Sequence, residues 1–138
     1  MLTLEEALAL IAAARFAAED VGIPMSFAVM DAAGHLVALS RMDGAPWISA
    51  DVAHGKAWTA AAYGTPSAGL KERMAQMPNF AQAITTMTHG RFTPQTGAVP
   101  LYRDGVLLGA IGASGGTGEE DEAACAAAVE VVGLSAAR

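Results

Sequence analysis

The sequence predicts an α+β domain in which helices cover an antiparallel sheet. The elements read in the order helix, hairpin, helices, strands, helix, and strands grouped this way favour antiparallel pairing over the strict alternation of a parallel α/β sheet. Tight-turn sequences also join short apolar runs at two places, "DAAG" at 31–34 and "RDG" at 103–105. A third observation sets the scale: 138 residues suffice for one domain with its own core, spanning 1–138, and are too few for two ordinary ones.

The first element is a helix. Thr3 and Glu6 form a capping box, in which hydroxyl and carboxylate each satisfy a backbone N–H that the first turn leaves unpaired. Leu4, Leu8, Ile11 and Ala14 or Arg15 recur at helical steps and mark the expected buried face, while Gly22 and Pro24 stop the helix. A hairpin follows, its strands at 27–30 and 36–39. Asp31 is placed for an Asx turn, and Gly34 for the positive φ that the turn needs. Arg41 and Asp43 lie at the exit of the second strand.

Residues 49–63 read as a helix, with Ser49 as its cap and Gly64–Thr65–Pro66 as its stop. Segment 67–90 is helical in composition but broken by Pro78, which predicts two short helices with a hinge. It carries Met74, Met77 and Met87, whose spacing suits adaptable packing. The "RDG" hairpin then opens the last pair of strands. Gly109 and Gly112 interrupt the second of these, where absent side chains let a helix or ligand approach the backbone. Thr117 and Glu120 repeat the capping box, and a final helix runs to about Leu134.

Composition narrows the function classes. The chain is 53% hydrophobic and only 16% charged, so little polar material covers its surface and self-association is expected. A net charge of −6, with eight scattered Lys and Arg, argues against nucleic acid or an anionic membrane as partner. The Leu- and Ala-rich N-terminus lacks a basic leader segment and has helical periodicity, and no run reaches membrane-spanning length. With Cys125 as the single cysteine, a cytoplasmic protein is expected.

Motifs for chemistry are sparse. "GASGGTGEED" feeds a glycine-rich strand end into a helix N-terminus, a recipe for anion binding, but Glu119, Glu120, Asp121 and Glu122 already complement that dipole. Ser114 with the Gly115 and Gly116 amides remains able to hold a small carboxylate. His35, His54 and His89 form no local metal motif, and no serine elbow is present. The helix at 49–63 offers more. At 100° per residue, His54 shares a face with Trp58, whereas Lys56 points about 200° away, on the side of Val52 and Thr59. Lys56 either snorkels to the rim or, if buried, needs a carboxylate, for which Asp31 and Asp43 are available.

Three stretches, D-x-x-G-x-L-x-A-x-x-R-M-D-G-A from Asp31, K-A-x-T-A-x-x-x-G from Lys56, and V-P-L-x-x-D-G-V-x-x-G-A-I-G-x-S-G-G from Val99, precede an Asp-Glu pair in the closing helix. In this order the pattern resembles the GlcG/HbpS family of haem-binding proteins, which also occurs as the C-terminal domain of PduO-type proteins. The resemblance covers roughly residues 3–134. It implies a three-layer α/β/α sandwich around an antiparallel sheet, profilin-like in manner, and a homo-oligomer, often an octamer. It also implies haem as the first ligand to consider. Arg41, Asp43, Lys56 and Ser114 are the polar positions of the pattern that turns and close packing do not explain, whereas His54 departs from it.

Two functions follow as expectations. The first is a cytoplasmic, oligomeric ligand-binding protein in which the 70–90 segment and the 49–63 helix line a haem pocket. His54 or His89 would ligate the iron, and Arg41 or Lys56 would meet the propionates. The alternative is a cofactor-independent enzyme acting on a small carboxylic acid. There Lys56 or His54 would move the proton, and Arg41 with the Ser114, Gly115 and Gly116 amides would hold the carboxylate, Asp43 being the further ligand-binding candidate.

Overall fold

The computed structural model describes residues 1–138. Its elements are α1 (Leu4–Val21), β1 (Ser26–Asp31), β2 (Leu36–Arg41), α2 (Ile48–Tyr63), α3 (Ser67–Ala75), α4 (Pro78–Met87), β3 (Ala98–Arg103), β4 (Val106–Ser114) and α5 (Gly118–Val131). The strands form one four-stranded antiparallel sheet in the order β2-β1-β4-β3. Helices α1 and α5 pack together on one face and α2 covers the other, so the architecture is the three-layer arrangement expected.

Alternation along the strands builds two cores. Phe27, Val29, Val99, Leu101, Ile111 and Ala113 face α1 and α5, which contribute Leu10, Ile11, Ala14, Cys125 and Ala128. Ala28, Met30, Ala98 and Ala110 face α2, which contributes Ala53, Ala57, Ala60 and Ala61. The alanine-rich face lets α2 come close. A Cβ placed on Gly112 would lie 2.6 Å from the Ala53 carbonyl oxygen and 2.8 Å from the Ala57 nitrogen, so only glycine fits there.

Both turns form as their sequences predict. Asp31 Oδ1 accepts from the Ala33 and His35 amides at 2.9 Å each, and Gly34 takes φ 82°. Asp104 and Gly105 both adopt positive φ, 51° and 76°, the geometry that matches strand twist in a two-residue hairpin. Both capping boxes are present, and α3 and α4 part at Pro78.

Three expectations need correction. Leu4 and Leu8 are exposed, and the buried stripe of α1 runs through Ala7, Leu10, Ile11, Ala14 and Ala18, because small residues let α1 close on α5. Ser49 is no cap: α2 begins at Ile48, and Ser49 turns inward to donate to the Pro46 carbonyl at 2.5 Å and pair with Ser26 at 2.8 Å. Finally, α5 ends at Val131, after which Ser135 exchanges backbone bonds with Tyr102 at 2.8 and 3.0 Å and covers the β3 edge. The β2 edge has no such cover.

Candidate functional site

Lys56 sits on the flank of α2 opposite His54 and is buried. Its ammonium donates to Asp121 Oδ2 at 3.1 Å and to the Ala113 carbonyl at 3.2 Å. Asp121 lies in the first turn of α5, and its other oxygen accepts the Gly116 amide at 2.9 Å. The pair therefore ties the two helical layers together beside the end of β4. Gly97 makes room for it, since a Cβ there would stand 2.7 Å from the Lys56 nitrogen. Burial pushes the Asp121 carboxyl above its usual range, against the opposing pull of the Gly116 N–H and the Lys56 charge. Cys125, one turn further along α5, has its thiol raised by burial and, in second place, by the Asp121 carboxylate.

The expected partners of Lys56 are thus replaced. Asp31 is committed to its own turn and to His35, 3.6 Å away, and Asp43 is exposed on a different side. Asp121 is sixty-five positions from Lys56, and the one sequence signal that links the two is their shared place in the extended pattern.

A cleft of about 280 Å³ opens over this pair, lined by Val52, Lys56, Lys71, Gln95, Thr96, Ser114, Gly116, Gly118, Glu119 and Asp121. It joins three expected residues, Lys56, Ser114 and Gly116, and adds Lys71, which the sequence reading missed. Lys71 enters no ion pair and is the cation of the cleft with charge to spare. Gly115 serves the backbone instead: it holds φ 146°, and a Cβ on it would strike the Pro24 carbonyl at 2.3 Å.

The other candidates lie apart. Arg41 and Asp43 border a groove of about 400 Å³ with Arg15, Glu19, Ser40 and Met42, in which Arg15 is paired with Glu19 at 3.2 Å. His54 is half-buried beside Trp58 on the β1–β2 side of α2. His89 is exposed just beyond α4, in a left-handed turn with φ 56°. No three His, Cys, Asp or Glu side chains converge as a metal cluster. Helix α4 buries none of its own residues, so Phe80 and Met87, with Met77 just before the helix, lie on the surface.

Comparison with known proteins agrees with this geometry. The family model for haem-degrading HbpS-like proteins matches residues 2–130. Protein GlcG of Escherichia coli K12 is 37% identical over 83% of this chain and 81% of its own length. The corrinoid adenosyltransferase PduO of Citrobacter freundii is 34% identical over 87% of this chain, which spans only 36% of that relative's length. Among solved structures, the PduOC–haem complex superposes with a TM-score of 0.89 at 28% identity, covering 99% of both chains. A double mutant of Streptomyces reticuli HbpS gives 0.84 at 34% identity over 94% of this chain and 86% of its own. Sequence pattern and backbone lead to one place: this chain belongs to the HbpS-like family of haem-degrading proteins.

Proposed function

We propose that this chain is a haem-binding protein that works in the cytoplasm as an assembly of its own copies, an octamer being the expected size. The observation that carries this reading is the end-to-end superposition on the PduOC–haem complex. Assembly is supported by the apolar side chains left outside, Phe16 on α1, Met77 just before α4, and Phe80 and Met87 on α4, which form no part of the chain's own core. A buried, lone Cys125 suits a reducing compartment, and no helix is long and apolar enough to cross a membrane.

The residues present fit haem. His54 offers a half-buried imidazole on a regular helix, His89 an exposed one, and Arg41 an exposed guanidinium in no ion pair. When bound, haem would supply a redox-active iron, and an imidazole such as that of His54 or His89 would hold it. The Lys56 cleft does not fit it. Its volume of about 280 Å³ has a single hydrophobic side chain in its lining, and Lys56 itself is committed to Asp121. A haemin titration followed by absorbance tests the reading: a saturable Soret shift is expected, and its absence from the assembled protein overturns it.

The same cleft favours a second reading, a cofactor-independent enzyme acting on a small carboxylic acid. One apolar residue, Val52, lines it, and Lys71, Ser114 and Gln95 present donors at a scale suited to a few heavy atoms. Turnover of short hydroxy and keto acids, abolished in Lys71→Met and Lys56→Met, supports this alternative. Turnover that neither substitution changes, or none at all, removes it.

A further inference from the structure

The Lys56–Asp121 pair leaves hydrogen-bonding capacity unused in the cleft above it. An ammonium carries three donors, and Lys56 commits two of them, to Asp121 and to the Ala113 carbonyl. The side chain is buried and at the same time lines the cleft, so its third N–H is left for whatever enters there. A buried donor without an acceptor is costly, which favours an occupant that supplies one.

Two further charges of the cleft are not used by the fold. Lys71 on α3 and Glu119 in the first turn of α5 both line it, yet neither is ion-paired with the other or with any residue. Glu119 is not needed to cap α5 either. Thr117 and Glu120 do that, through the Glu120 amide at 3.2 Å and the Thr117 amide at 2.9 Å. Opposite charges that share a cleft of about 280 Å³ without pairing leave a gap for a ligand to bridge.

These groups select a ligand by its two ends. A carboxylate has two oxygens and acceptor sites enough to satisfy the third Lys56 N–H and the Lys71 ammonium together. Glu119 repels a carboxylate and is complementary to a donor instead. We infer that the cleft takes a short carboxylic acid with a hydroxyl or ammonium group on the carbon next to its carboxylate, and that Glu119 accepts from that group. This rests on the reading of the cleft as a small-acid site and narrows it to 2-hydroxy or 2-amino acids. A 2-oxo acid turns a second acceptor towards Glu119, and an unsubstituted acid offers it no partner, so both are disfavoured.

The test is calorimetric titration of the purified protein with propionate, pyruvate, lactate and alanine, three-carbon acids that differ only at the second carbon. Lactate, alanine or both should bind roughly tenfold or more tightly than propionate and pyruvate, the scale of one hydrogen bond to a charged group. Which of the two binds identifies the donor that Glu119 receives. Glu119→Ala should erase the preference and leave the four acids alike, whereas Lys71→Met should weaken every acid that binds. Both side chains are exposed, so circular dichroism should show both variants folded as wild type. If no acid binds, or if Lys71→Met changes nothing, the small-acid reading of the cleft falls together with this inference. Propionate or pyruvate binding as tightly as lactate and alanine, or a preference that survives Glu119→Ala, overturns the inference alone.

Discussion

Replacing Lys56 by Met leaves the Asp121 carboxylate in the layer junction with only the Gly116 amide to hold it. Both side chains are almost wholly enclosed, 7% and 2% exposed, so solvent does little to screen the change. Removing one member of a buried pair costs about 3–5 kcal/mol, a large share of a stability of roughly 5–15 kcal/mol. At this chain length the melting temperature should fall by roughly 10 °C or more. Urea denaturation followed by circular dichroism reads the loss. Lys56→Met/Asp121→Asn should recover most of it, because the amide oxygen keeps the Gly116 bond and no charge is left unpaired. Titration adds an independent signature. Burial holds the folded Asp121 carboxyl above its ordinary value of 3.8, so the folded state binds more protons in that window. Stability contributed by this group is therefore present at low pH and declines as pH rises through the folded value, and Asp121→Asn should flatten that part of the pH–stability curve. A Lys56→Met loss below about 1 kcal/mol, the scale of an exposed pair, would refute the claim that this pair joins the layers.

Other consequences are more local. Gly112→Ala should destabilise by about 1–3 kcal/mol in urea melts, since its methyl would meet the α2 backbone at 2.6 and 2.8 Å. Thr59→Val removes the hydroxyl that accepts the Thr93 amide at 2.7 Å, and should cost about 1–3 kcal/mol with faster hydrogen exchange at Thr93. Cys125, fully buried and with its thiol raised, should resist iodoacetamide in the native protein and react once urea unfolds it.

Local chemistry was legible in the sequence. Thr3–Glu6, Thr117–Glu120, Asp31–Gly34, Asp104–Gly105 and Pro78 each act within four residues, so the sequence alone determines their geometry. The extended pattern added the layered fold. What stayed hidden were choices made by packing across the chain. The inner face of α1 combines Ala7, Ala14 and Ala18 with Leu10 and Ile11 while Leu4 and Leu8 stay outside, because separation between helices, and not hydrophobicity alone, decides which side turns in. Ser49 looked like a cap, but the Ser26 hydroxyl drew it into the sheet. Asp121 looked like a charge for the helix dipole, and it is also the counterion of Lys56. The site candidates separated for the same reason: Lys56, Ser114 and Gly116 meet in one cleft, while Arg41, His54 and His89 lie on other surfaces that periodicity does not relate to each other.

Haem binding by an assembly of copies is the central claim, and native mass spectrometry of the purified protein incubated with haemin addresses both halves at once. Multi-copy ions that carry haem, up to one per chain, and retain it at collision energies that strip loosely adsorbed porphyrin are expected. Haem-free monomers as the dominant species would contradict it.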